Sequence, residues 1–113
     1  MSKPSRLDLL QGTLDLLILR TLQSGDALHG WAVSERIRQL SDDVLQANQG
    51  SLYPALHRLE ERDWLEAEWR DTATGREAKF YKLTRKGRTQ LESEVLHWEK
   101  LTDAVALILR TAE

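Results

Sequence analysis

The chain has 113 residues, no cysteine and a formal net charge of −2. Its length predicts one domain with a modest core, of the size at which dimerisation often adds the missing buried surface. The lack of cysteine excludes disulfides and thiolate metal sites, which fits a reducing compartment. Because we find neither a signal-peptide pattern nor an apolar run long enough to cross a bilayer, we expect a cytoplasmic protein without membrane attachment.

The first predicted helix is apolar on two sides. At about 100° per residue, one face would carry Leu7, Leu10, Leu14, Leu17, Ile18 and Leu22. The roughly opposite face would carry Leu9, Leu16 and Leu19. A surface helix needs only one apolar stripe, so the second face predicts contact with a partner chain. A helix buried in the middle of a single core would show the same pattern.

Residues 50–59 predict a short helix that exposes polar and aromatic side chains. Leu52, Leu56 and Leu59 recur at spacings of four and three, so they would form its buried face. Pro54 has no N–H and would break a helix interior, which predicts a start around residues 48–50 with Pro54 in the first turn. Polar groups at such a helix N-terminus are typical of a recognition helix, which reaches DNA bases and phosphates there.

A hairpin and a long helix follow this segment. Residues 66–70 alternate between charged and apolar side chains, which predicts a strand. Turn-forming residues at 71–76 and a second apolar-rich segment at 77–84 complete the hairpin. The predicted fold is therefore mainly α with a small β-hairpin. It comprises a winged helix-turn-helix at residues 1–84 and a C-terminal dimerisation helix at residues 85–113, as one structural unit.

The final helix, from residue 85 to about residue 110, predicts a homodimer. Its apolar residues alternate in spacings of four and three, as in a heptad seam. At about 39 Å it would be longer than so small a domain, and its distal half would need a second chain to cover it. With the outer face of the first helix, the predicted interface comprises Leu9, Leu16, Leu91, Val95, Trp98, Leu101, Val105, Ile108 and Leu109. A two-fold dimer would read an inverted repeat with half-sites about 34 Å apart.

The charge is distributed unevenly along the chain. Residues 70–88 contain seven basic and two acidic residues, whereas residues 89–103 contain four acidic residues and one lysine. The hairpin end would therefore attract DNA phosphates although the net charge is negative. A merely solvated basic surface is the alternative interpretation of this pattern.

The order and spacing of these segments closely resemble the PadR family of bacterial transcriptional regulators. The shared landmarks are Gly12, Leu14, His29-Gly30, residues 50–60 with their Leu-Tyr-Pro-Ala-Leu core, Trp69, Gly75-Arg76, residues 80–84, Gly87 and Trp98. The single terminal helix is similar to the short branch of that family. The chain departs from the family pattern at Trp31, where tyrosine is common, and at Glu77-Ala78, where the wing is often more basic.

The resemblance implies a dimeric, sequence-specific DNA-binding regulator, and we expect a repressor. Together with the charge pattern it places contacts to double-stranded DNA at Gln49, Ser51, Tyr53, Pro54, His57, Gly75, Arg76 and Lys79. In multidrug-sensing members, a tryptophan at the position of Trp98 meets its symmetry mate, and flat aromatic ligands stack between the two. Trp98 would then be either an apolar anchor of the interface, which we favour, or also a platform for a small aromatic effector.

The sequence offers little for catalysis. His29, His57 and His97 are far apart and have no further ligands at metal-site spacing, so we expect no metal, no cofactor and no enzyme. We expect His29 to be a turn or cap residue, and Glu60, Glu61 and Asp63 to be solvated helix surface. The alternative function is a winged-helix protein-interaction module without DNA binding, which the presence of Tyr53, Arg76 and Lys79 disfavours.

Overall fold

A computed structural model of the chain describes residues 7–8 and 11–111. The elements are β1 (Leu7–Asp8), α1 (Gln11–Thr21), a 3-10 turn (Leu22–Ser24), β2 (Leu28–His29), α2 (Gly30–Leu40), β3 (Leu45–Gln46), α3 (Gln49–Glu61), β4 (Leu65–Asp71), β5 (Glu77–Leu83) and α4 (Arg85–Arg110). This order confirms the winged helix-turn-helix with a long C-terminal helix. Leu9, predicted for the dimer interface, lies outside the described residues.

The sheet consists mainly of the predicted hairpin. β4 and β5 pair antiparallel from Leu65 opposite Leu83 to Asp71 opposite Glu77. β2 adds a third strand on the free side of β5, with His29 opposite Phe80. The sequence did not predict β2, because two residues are too few to show an alternating pattern. β1 and β3 form a separate parallel pair.

The core surrounds α1, which contacts α2, α3 and α4. Its fully buried residues include Ile18 and Leu19, and the leucine face of α3 packs here as predicted. Leu16 keeps only 8% of its surface exposed. The face of α1 that was predicted to contact a partner chain is thus covered by its own chain at Leu16 and Leu19. For these two residues the alternative interpretation, burial within a single core, is the correct one.

The predicted start of α1 was wrong. The helix begins at Gln11, whereas Leu7–Asp8 is extended and pairs with Leu45–Gln46. Spacing alone could not separate these possibilities, because pairing with a distant strand depends on tertiary structure and not on local periodicity.

The position predicted for Pro54 was also wrong. α3 begins at Gln49 behind Asn48, whose side chain accepts a hydrogen bond of 3.0 Å from the Ser51 N–H. Pro54 is the sixth residue of the helix and lies in its second turn. Since proline has no N–H, the carbonyl of Gly50 receives no intrahelical bond from it. Gly50 is exposed, so solvent can satisfy that carbonyl.

Gly87 allows α4 to start directly against the hairpin. A Cβ at this buried position would lie 2.1 Å from the carbonyl oxygen of Trp64 and 2.7 Å from Cδ1 of Leu83. Thr84 caps α4 by accepting a hydrogen bond of 2.9 Å from the Gly87 N–H, and its own N–H donates to the Trp64 carbonyl over 3.1 Å. The missing side chain and the cap together fix the origin of the long helix.

We expect Gly87→Ala to destabilise the protein by about 1 to 3 kcal/mol, because the added methyl group would overlap backbone that cannot move independently. Urea denaturation of the wild type and the variant measures this difference. Gly12→Ala is the matched control in α1, since its Cβ would meet no described atom within 4 Å. Equal stability of the two variants would contradict the close approach at Gly87.

Candidate nucleic-acid interface

α3 presents the predicted contact residues to the outside, with four of them in its N-terminal half and His57 further along. Gln49, Ser51, Tyr53, Pro54 and His57 are all exposed, while the leucine face of the same helix is buried. The helix therefore shows a polar and aromatic surface at the end where unpaired backbone N–H groups are found. This is the geometry that a recognition helix requires. The DNA contacts of these residues themselves stay a prediction.

Tyr53 is held in place by α2. A Cβ on Gly30 would lie 2.6 Å from Cε1 of Tyr53, so in this arrangement the ring packs directly against the start of α2. The preceding residue, His29, caps α2 by accepting a 3.2 Å hydrogen bond at Nδ1 from the Ala32 N–H. This confirms the cap predicted from the sequence. The His29 ring also meets Phe80 of the sheet edge-on at 5.3 Å, which ties α2 to β5.

The turn of the hairpin projects Arg76 as the tip of a wing. Thr72 N–H donates to the Arg76 carbonyl over 2.7 Å, and Gly75 N–H donates to the Thr72 carbonyl over 2.9 Å. Gly75 has a φ of 82°, a conformation that favours glycine. Arg76 is exposed and forms no ion pair within residues 11–111, so its charge is available to an anion.

Lys79 is already paired inside the molecule. Its ammonium group lies 2.8 Å from Oε1 of Glu60 on α3, and this hydrogen bond raises the pKa of Lys79. Glu60 is half-buried, so its predicted role as solvated surface was wrong. The pair links the hairpin to α3 and partly neutralises a charge that the sequence assigned to phosphate binding.

Asp63 also differs from its predicted role as helix surface. α3 ends at Glu61, and Asp63 adopts a φ of 62° in the turn that leads into β4. Its carbonyl accepts a hydrogen bond of 2.6 Å from the Thr84 hydroxyl. Asp63 therefore helps to join the turn after α3 to the start of α4.

The seven basic residues of segment 70–88 are not equally free. Arg70 pairs with Glu68 and Lys79 with Glu60. In the described part of the chain, no ion pair involves the other five, which are Arg76, Lys82, Arg85, Lys86 and Arg88. Within this segment, positive charge available to phosphate is thus limited to Arg76 at the wing tip, Lys82 on β5 and the first turn of α4.

A buried ion pair joins α1 to α3. Arg58 lies 2.6 Å from the carboxylate of Asp15, and neither side chain is more than one quarter exposed. Arg58 is therefore half-buried, unlike the exposed side chains of Tyr53, Pro54 and His57 on the same helix. Burial raises the pKa of Asp15, and the Arg58 guanidinium opposes this rise. The pair fixes the rotation of the recognition helix on the core.

A cleft of about 710 Å³ lies between α2, α3 and the hairpin. Its lining comprises His29, Gly30, Trp31, Tyr53, Trp69, Thr72, Thr74, Arg76, Glu77, Ala78, Lys79 and Tyr81. Trp31 and Trp69 are 57% and 64% exposed, and neither was predicted as a contact residue. The sequence did contain a sign of the exposure of Trp69. This residue is the last apolar one in the alternating pattern of β4, and the small core cannot cover a strand of that length.

The distal part of α4 leaves a row of apolar side chains uncovered. Trp98, Leu101, Val105, Ile108 and Leu109 are exposed in the single chain, and Val95 is half-buried. Leu91, by contrast, is 2% exposed and belongs to the core of its own chain. Beside Trp98, a cleft of about 480 Å³ lies between α1 and α4, lined by Gly12, Thr13, Leu16, Ser93, Glu94, His97, Trp98 and Leu101.

Residues 7–8 and 11–111 contain no cluster of histidine and carboxylate side chains that could hold a metal ion. None of the described helices combines the length and the apolar character that crossing a bilayer requires.

The model of the PadR-like family of transcriptional regulators matches residues 18–93, from α1 into α4. The chain belongs to this family. PadR-like regulators bind DNA and are not enzymes in general.

Relatives of this PadR-like chain match it over nearly its whole length. A PadR-family regulator from Eggerthella lenta is 30% identical, with a TM-score of 0.75 and coverage of 89% of this chain and 85% of the other. A transcriptional regulator from Clostridium thermocellum is 25% identical, with a TM-score of 0.77 and coverage of 89% and 96%. An uncharacterized protein of Lysinibacillus sphaericus is 29% identical over 96% of this chain and 98% of its own length.

Arg58→Met should destabilise the PadR-like domain by about 2 kcal/mol at pH 7, because it leaves the Asp15 carboxylate buried without its partner. Without the guanidinium, the pKa of Asp15 rises further above its ordinary value of 3.8. A carboxyl group whose folded pKa is raised binds its proton more tightly in the folded state, so stability is lost as the pH rises from 3.8 through the folded pKa. The deficit of the variant should therefore shrink as the pH falls from 7 towards 4.

Urea denaturation at several pH values measures this deficit. Arg20→Met is the control, since Arg20 is exposed on α1 and has no ion pair in the described part of the chain. A deficit that is independent of pH would show that Asp15 is not the group left unpaired.

Proposed function

We propose that the protein is a homodimeric transcriptional repressor that acts in the cytoplasm and binds an inverted repeat in double-stranded DNA. The observation that carries the proposal is the exposed N-terminus of α3, where Tyr53 packs on Gly30, beside a wing that presents Arg76. α3 would enter the major groove, and the wing would contact the neighbouring backbone. Gln49, Ser51, Pro54 and His57 would add contacts from α3, and Gly75 would let the wing approach closely.

The roles of Tyr53 and Arg76 can be separated by affinity and salt dependence. Tyr53→Ala should weaken binding to the operator by about 1 to 3 kcal/mol and affect random DNA less, because it removes a contact to base edges. Arg76→Ala should weaken all sequences similarly and reduce the salt slope by about one unit. Lys79→Ala should reduce the slope less, since Glu60 already compensates its charge.

Gel shifts at several salt concentrations, with the promoter of the protein's own gene and a random duplex, measure these differences. If the wild type binds neither duplex, the winged-helix interaction module is the better account. If Tyr53→Ala and Arg76→Ala both bind like the wild type, the proposed docking through α3 and the wing is wrong.

The dimer is proposed from α4. An amphipathic helix with Val105, Ile108 and Leu109 in water is unfavourable, and burying this row against a second copy would remove it from solvent. The outer seam would comprise Val95, Trp98, Leu101, Val105, Ile108 and Leu109. Leu16 and Leu91 are already covered by their own chain, so the interface is proposed without them.

Leu109→Glu should convert the dimer into monomers and weaken operator binding, because it would place an unpaired charge in an apolar interface. Leu96→Glu is the matched control. Leu96 is 68% exposed and Leu109 78%, but Leu96 lies off the heptad positions. Light scattering at micromolar concentration measures the mass of each variant. A wild type that is monomeric under these conditions, or a Leu96→Glu variant that dissociates as readily as Leu109→Glu, would refute the arrangement.

Trp98 is proposed first as an apolar anchor of the interface. The 480 Å³ cleft beside it favours a second role as a platform for a small, flat aromatic effector. Titration of the wild type and Trp98→Ala with a planar cationic dye tests this role, with tryptophan fluorescence as the readout. Loss of dye affinity in the variant is the expected result. Equal quenching and equal affinity in both proteins would leave Trp98 as an anchor only.

A further inference from the structure

We propose that Trp31 and Trp69 form a clamp that holds one backbone strand of the DNA in the cleft between α2 and the hairpin. We call this pair the indole clamp. The inference rests on the proposed function and adds to it two contact residues from elements other than α3, together with a mode of contact that does not use charge.

Trp69 owes its position to the length of the hairpin. Leu65, Ala67 and Trp69 lie on one face of β4, opposite Leu83, Tyr81 and Lys79 of β5. Leu65 and Leu83 are buried in the core, whereas Trp69 is mostly exposed. The inner face of the hairpin therefore continues beyond the core, and its last large side chain lines the cleft next to α3.

Trp31 reaches the same cleft from the start of α2, a segment that several contacts hold in place. It follows His29 and Gly30, and its ring centroid lies 6.3 Å from that of His29. His29 is held by its cap hydrogen bond to Ala32 and by the Phe80 ring, while Gly30 supports Tyr53. Both indoles thus project from an ordered framework, so little conformational entropy would be lost when they bind.

DNA is the occupant because the cleft is continuous with the proposed interface. Tyr53 of α3 and Arg76 of the wing line it together with the two indoles. A backbone strand that passes from the major groove at α3 to the wing must run between these elements. A ligand confined to the cleft would leave the remaining exposed residues of α3 unused.

The charges in the cleft indicate how the strand would be held. Glu60 partly neutralises Lys79, so of the two cationic side chains that line the cleft only Arg76 has no ion pair in the described part of the chain. The faces of the indoles offer apolar contact to deoxyribose, and each indole N–H can donate to a phosphate oxygen. These contacts release few counterions, so their contribution to affinity should depend little on salt.

The experiment measures the anisotropy of a labelled duplex from the promoter of the protein's own gene, over a series of salt concentrations. Trp31→Ala and Trp69→Ala should each weaken binding about tenfold while the salt slope stays unchanged. Trp31→Tyr and Trp69→Phe should each retain part of the affinity, because they keep an aromatic face but lose the indole N–H. Leu40→Ala is the control, since Leu40 is an exposed apolar residue of α2 that does not line the cleft.

The outcomes separate the clamp from the proposed function. Indole variants that bind as tightly as Leu40→Ala, while Tyr53→Ala is impaired, would overturn the clamp and leave DNA binding intact. A change in salt slope without loss of affinity would overturn it as well. A wild type that binds neither this duplex nor random DNA would overturn both. Thermal melting of each variant, expected within a few degrees of the wild type, shows that a lost affinity is not lost folding.

Discussion

The burial of α1 is the constraint on which the rest of this small structure depends. A domain of this size has few apolar residues, and α1 supplies two of the largest that are fully buried, Ile18 and Leu19. α2, α3 and α4 all pack around it. Because each of them faces the same helix, the orientation of the recognition helix and the origin of α4 are set by one core. The surface that we propose for DNA binding is the outer side of that arrangement.

Polar contacts then determine the orientation of α3, which apolar packing alone leaves undetermined. A leucine stripe permits some rotation of α3 about its axis, but the Asp15–Arg58 pair on one side and the Lys79–Glu60 pair on the other restrict it. Charged hydrogen bonds are directional, whereas apolar contact is not. Gly30 has a similar effect on Tyr53, because it offers the ring a place against the backbone of α2. These contacts therefore define how α3 and Tyr53 are placed in the chain without a ligand.

The sequence predicted the elements that have strong local periodicity. The leucine spacing of α3, the alternation in β4 and the uninterrupted pattern of α4 each correspond to an element with nearly the predicted bounds. The start of α1, the strand β2 and the partners of Arg58 and Lys79 could not be predicted, because they depend on residues distant in sequence. The outer positions of α3 were predicted. Trp69 was missed because its exposure follows from how far the hairpin extends past the core, and Trp31 because the cleft that it lines is formed by elements distant in sequence.

The internal pairing of Lys79 and Arg70 has a consequence for the behaviour of the protein on a chromosome. Contacts with random DNA arise almost entirely from uncompensated cations, and these contacts determine how long a regulator slides before it dissociates. With two of seven basic residues in the wing region already paired, each encounter with unrelated sequence should be brief. The search would then proceed by frequent hopping, and fewer copies would be sequestered on the bulk of the genome.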